Sequence, residues 1–164
     1  MIEMVDLSKL EYAKFEKLKE EEWNEYKLKD GSVILLKTVV FWLRLLKEGK
    51  KGTLKCQCKL GKIIVPAPEL CGKPASSKYK DRELRESIVD KDIAFDLVKD
   101  SWNKYLLEDG INIWIKRVLS KASRTSKFDE WGEPIYVIED QLQWKGFSVM
   151  ENGLELYVEE HGKK

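Results

Sequence analysis

At 164 residues, 43% of them apolar and 36% charged, the chain suits one domain or two small ones and is too apolar to be disordered. A net charge of +1 singles out no partner, and the most apolar stretch, Ser32 to Leu46, is interrupted by Lys37 and Arg44, which excludes a membrane-spanning helix. The opening MIEMVDLSKLE lacks a basic-then-apolar export signal, and three cysteines fit a reducing compartment better than a disulfide framework, so a cytoplasmic setting is expected.

In chain order, Ser8 stands three residues before Glu11, the spacing of a capping box, and predicts a helix over 8–22. WNEYKLKDG follows at 23–31. Tyr26 and Leu28 alternate with mainly charged residues, as in a half-buried strand, and Asp30-Gly31 has hairpin chemistry because glycine tolerates positive φ. The return strand is predicted from Ser32 to about Arg44, apolar on both faces around Val39 to Leu43, as a central strand is. Gly49 and Gly52 mark a turn, with strands expected at 53–59 and 62–65. Residues 44–80 carry ten basic and two acidic side chains, against seven and nine in 1–43 and 13 and 18 in 81–164. Gly72 to Lys80 reads as a connector.

The pattern then begins again. Ser87 with Asp90 repeats the hydroxyl-to-carboxylate spacing and predicts a helix from Arg82 or Ser87 to Asp100. WNKYLLEDG stands at 102–110, and pairing 23–39 with 102–118 gives nine identities in 17 positions: Trp23/Trp102, Asn24/Asn103, Tyr26/Tyr105, Leu28/Leu107, Asp30/Asp109, Gly31/Gly110, Ile34/Ile113, Lys37/Lys116 and Val39/Val118. Chance would give roughly one. A strand is expected at 111–119, a turn at Asp129 to Gly132, a strand opened by Pro134 and a last hairpin turning at Asn152-Gly153. The expected fold is α+β: two related halves, 1–80 and 81–164, duplicated at an offset of 79, each a helix followed by an antiparallel meander and sharing or abutting a core.

WNKYLLEDGINIWIKRV followed by SRTSKFDEWGEPIYVI resembles small archaeal proteins in which Tyr-x-Leu-x-Asp-Gly, a β-rich stretch and Asp-x-x-Gly-x-Pro-x-Tyr occur in that order. The resemblance covers roughly 100–140 and departs from the first copy after Val39. It implies the duplicated unit and brings no activity to carry over. Few amides, four Asn and three Gln, beside abundant Lys and Glu also suit a thermophile's surface.

Catalysis has little to stand on. His161, the only histidine, lies in a charged tail; no nucleophile elbow, phosphate loop or HExxH occurs, and Asp30 and Asp109 read as turn residues. The expectation is therefore no enzyme, no catalytic residue and no cofactor. Cys56 and Cys58 would share one strand face, with Cys71 thirteen residues on, which makes them candidate metal ligands against the commoner use of cysteine as a small core residue. Lys50, Lys51, Lys55, Lys59 and Lys62 form a lysine-rich hairpin over 47–62, within the basic stretch 44–65, that could bind nucleic acid in a salt-sensitive manner. Trp42, Trp114, Trp131 and Trp144 are candidate stacking platforms. Lysines also protect sheet edges, and exposed edges can pair two chains, so the alternative is a protein-interaction or structural module, a homo-oligomer with no nucleic-acid role.

Overall fold

Buried and exposed side chains alternate with period two through most of the chain, and the residues described in the computed structural model, 15–48, 51–107, 110–149 and 155–161, form ten strands in two antiparallel sheets. The strands are β1 (Phe15–Lys17), β2 (Asn24–Leu28), β3 (Val33–Glu48), β4 (Lys51–Val65), β5 (Ile88–Asp90), β6 (Phe95–Lys99), β7 (Asn103–Leu107), β8 (Ile111–Phe128), β9 (Pro134–Val149) and β10 (Glu155–His161). One sheet has the order β4-β3-β2-β6; the other runs β1-β7-β8-β9-β10, with β5 added to β8. A 3-10 turn at Pro68–Leu70 and one six-residue helix, α1 (Asp81–Glu86), are the only helical segments among the described residues. No helix among them is long and apolar enough to cross a membrane.

The expected α+β class is thus overturned: neither half is a helix followed by a meander. Residues 8–14 of the first expected helix lie outside the described residues, and 15–17 are strand. The second expected helix breaks after α1. Ser87, read as an N-cap, sits at the other end, its hydroxyl donating to Leu84 O at 2.9 Å. Beyond it, Asp92 takes φ 48°, a left-handed conformation in which a helix cannot continue, and β5 and β6 lie on either side of it. The strands expected at 53–59 and 62–65 are one strand, β4. Asn152-Gly153 and Asp109 lie outside the described residues, while Gly31 and Gly110 take φ of 93° and 83° as the hairpins require.

The sheets pack face to face through β3 and β8, which run in opposite directions. Ile34 and Leu36 at the start of β3 share a cluster with Leu119 and Ala122 late in β8, together with Tyr26, Leu28 and Tyr136. Val40 and Leu43 further along β3 share a second cluster with Ile111, Ile113 and Ile115 at the start of β8, together with Tyr105, Leu107 and Trp144. The two clusters are each other's counterparts at the sequence offset.

Two strands cross between the halves. β1 pairs with β7, setting Phe15 opposite Leu107, and β6 pairs with β2, setting Phe95 opposite Leu28. Each phenyl ring meets the buried tyrosine of the other half edge-on: Phe15 on Tyr105 at 5.9 Å and Phe95 on Tyr26 at 5.6 Å. Each sheet therefore takes an edge strand from the opposite half of the sequence.

Candidate functional site

The repeated residues divide by face. Asn24, Tyr26 and Leu28 point inward, as do Asn103, Tyr105 and Leu107. Asn24 Oδ1 accepts the N–H of Ser101 at 2.7 Å, and its amide donates to Arg117 O at 3.5 Å. Asn103 returns both contacts: Oδ1 accepts the N–H of Glu22 at 3.4 Å and the amide donates to Thr38 O at 3.0 Å. The tyrosines differ. Tyr26 donates to Arg117 O and accepts from Leu119 N–H, whereas Tyr105 donates to the buried Glu21 carboxylate, which also takes Val40 N–H at 2.8 Å and pairs with Lys17. Burial, and then the Glu21 charge, push the Tyr105 phenol up; burial alone is the main cause for Tyr26.

Asp30 does more than turn a hairpin. Its Oδ1 takes Ser32 N–H at 2.9 Å, and Oδ2 takes the Tyr136 hydroxyl at 2.6 Å with Arg124 Nε at 3.7 Å. Ser32 Oγ accepts Ala67 N–H at 3.0 Å and lies 2.8 Å from Tyr136 Oη; with the phenol proton on Asp30, the serine hydroxyl is the donor. Burial and the bond to Asp30 push the Tyr136 phenol up, so it stays protonated. The network ties the first hairpin to β8 and β9.

The expected metal ligands separate. Cys56 and Cys58 share the inward face of β4, where Cys58 Sγ lies 3.9 Å from Arg117 Nη2 and Arg117 also holds Asp140 at 3.0 Å. The hydrogen bond with Cys58, then burial, push the Cys56 thiol far above its ordinary value. Cys71 is exposed beyond the 3-10 turn, its thiol 4.0 Å from Ala67 O. Among the described residues no three His, Cys, Asp or Glu side chains gather as a metal group.

Of the expected lysine hairpin, Lys55 and Lys59 are exposed on one face of β4, and Lys62, of opposite parity, is exposed too. Lys50 lies outside the described residues, as does the side chain of Lys51. β4 is an edge strand, where lysines blunt edge-to-edge pairing. Of the four tryptophans expected as stacking platforms, Trp144 is core, Trp42 is half-buried, Trp131 is 76% exposed at the β8–β9 turn, and Trp114 stands on the outer face of β8.

Trp114 marks an arrangement that the sequence reading did not assemble. Register places Lys104 of β7, Trp114 of β8 and Lys145 of β9 side by side in one outward row. Lys104 Nζ lies 4.3 Å and Lys145 Nζ 4.7 Å from the Trp114 ring centre. Trp102 is 6.3 Å from Trp114, tilted by 46°, and takes Lys116 Nζ at 4.4 Å and Lys145 Nζ at 5.0 Å. Phe147 meets Trp114 edge-on at 5.2 Å. Lys116 also donates to Asp100 at 2.8 Å, and the register of β10 on β9 sets Glu160 opposite Lys145. In the first half the matching row is Glu25, Leu35 and Ile63, and only the Trp23–Lys37 pair persists, at 5.6 Å. The available signal was the repeat itself, since Trp23/Lys37 and Trp102/Lys116 are identities that the hairpin brings together.

A cleft of about 490 Å³ lies at the far end of β8 and β9, beside Tyr79, Phe128 and Asp129. Asp129 Oδ1 takes the N–H of Trp131 and of Glu133, and the Phe128 ring packs so close to Gly72 that a Cβ there would meet it at 2.6 Å. No protein-family model, curated protein or solved structure matches the chain.

Proposed function

We propose that the protein is a non-enzymatic binding protein that holds nucleic acid, in a salt-sensitive manner, on the outer face of β7, β8 and β9. One observation carries the reading: Lys104, Lys116 and Lys145 converge on the rings of Trp102 and Trp114. Ring faces hold the ammoniums in place without neutralising them. Such an array suits a polyanion, because the lysine heads are already positioned and phosphate contact releases condensed counterions.

Titration of a labelled single strand of about 12 nucleotides tests this. Three phosphate contacts give a salt slope of about −2, so a fourfold rise in salt weakens binding about 20-fold. Replacing Lys104 and Lys145 together by Gln is expected to reduce the slope by about 1.4, whereas Lys55→Gln with Lys59→Gln on β4 leaves it unchanged. Absence of binding at low salt, or loss caused by the β4 pair alone, refutes the assignment to this face.

A second reading, a homo-oligomer without a nucleic-acid role, rests on β6. This edge strand exposes Leu97 and Val98 by 53% and 55% and has no strand on its outer side among the described residues. A stable dimer on sizing, with no nucleic-acid binding, would favour it.

A further inference from the structure

Resting on the nucleic-acid reading, we infer that this face selects single strands through their bases, with Trp114 taking a base on its ring as the Lys104 and Lys145 ammoniums move from that ring to phosphates. The starting geometry favours the exchange. Phe147 meets Trp114 at 77° and Trp102 at 46°, so neither aromatic neighbour stacks parallel on its indole. The ammoniums placed over that ring are Lys104 and Lys145, at 4.3 and 4.7 Å. Each is a point charge on a long flexible stem, and a phosphate oxygen offers it a stronger, charge-assisted hydrogen bond than the ring does.

When the heads leave, an indole face is open between two phosphate-bound lysines. An unpaired base can occupy it, since every base has a π-face and stacking on an aromatic side chain tolerates any sequence. A duplex keeps its bases stacked on one another and so withholds the faces that the indole would take. The first half provides the contrast: Glu25, Leu35 and Ile63 in the matching row have neither the ring nor the cations. Leu35 also shows that a strand of this kind accepts leucine where β8 carries Trp114, which makes Trp114→Leu a conservative test of the fold.

The test compares three probes at low salt: a single DNA strand of about 12 nucleotides, an abasic strand of equal length, and inorganic polyphosphate. The base-bearing strand is expected to quench tryptophan fluorescence and to bind roughly tenfold tighter than the abasic strand. Trp114→Leu should make the two strands bind alike, while polyphosphate, which has no bases, reports only the loss of the ring that positions the lysine heads. Trp114→Phe, which keeps an aromatic face, should restore part of the advantage. Equal affinity for the two strands, or equal loss of all three probes in Trp114→Leu, overturns base selection while the polyanion reading stands. Failure of every probe to bind the unaltered protein overturns both.

Discussion

Asn24 and Asn103 show why a side chain is repeated in this chain. Each amide spans the gap between the halves, its oxygen on a backbone N–H of the approaching segment and its nitrogen on a carbonyl of β8 or β3, so neither end could be aliphatic without stranding a buried backbone group. Glu21 is the residue at which the halves part company. Burial acts to raise its pKa, but hydrogen bonds from Lys17, the Val40 N–H and Tyr105 outweigh it, and the net shift is downward. A carboxyl held below its unfolded value adds stability that is present above about pH 4 and is lost as pH falls through the folded value. Glu21→Gln is expected to cost about 2 kcal/mol at neutral pH. Urea unfolding should show the gap between the variant and the parent narrowing as pH falls below the unfolded carboxylate value of about 4, and a gap independent of pH would contradict this account. The inward set of Tyr26 and Leu28 was legible from local alternation. Glu21 was not, because it sits in the run Glu20-Glu21-Glu22 and its partners Val40 and Tyr105 lie 19 and 84 positions away.

At the level of elements, a pair of cap-like residues was too little to specify a helix. Ser87 and Asp90 have the spacing of a capping box, yet the stretch between Ile88 and Lys99 is rich in β-branched side chains, and Phe95 has an apolar site waiting beside Tyr26. Tertiary pairing decided the matter. The hairpins at Gly31 and Gly110 and the central position of β3 were readable, since tight turns and two-faced apolar strands have local causes. Which strand lies beside which was not, because register between distant segments leaves no local mark. The crossing makes an unusual demand on mutants. Phe15→Ser should speed amide exchange in β7, at 103–107, and leave β2 unaffected, while Phe95→Ser should speed exchange in β2 and spare β7. Hydrogen-exchange mass spectrometry distinguishes these patterns from the opposite one, in which each change loosens its own half. The lysine–tryptophan row follows the same lesson: its members come from β7, β8 and β9, so only register assembles it.

For the molecule as a whole, residues 1–80 and 81–164 are not two separable bodies. Each sheet needs an edge strand from the other stretch, and both hydrophobic clusters draw on β3 and β8 together. Fragments 1–80 and 81–164 are expected to lack stable structure singly and to regain β-sheet circular dichroism when mixed. Independent folding of either fragment would contradict the packing described. Symmetry is confined to this scaffold. The inward residues of the repeat reciprocate their contacts, whereas the outer rows differ in charge and aromaticity, Lys104-Trp114-Lys145 against Glu25-Leu35-Ile63.

The crossing also imposes an order on synthesis. As the chain leaves the ribosome, β2 and β3 emerge with their hairpin intact, but the strand that covers the far side of β2 is Phe95–Lys99, made about 70 residues later. Until then an apolar ribbon carries an open edge, the kind of surface that recruits neighbouring nascent chains. β1 waits in turn for β7. Completion is therefore a late, long-range event, and slow translation between residues 49 and 95 would lengthen the interval in which this protein can be lost to aggregation.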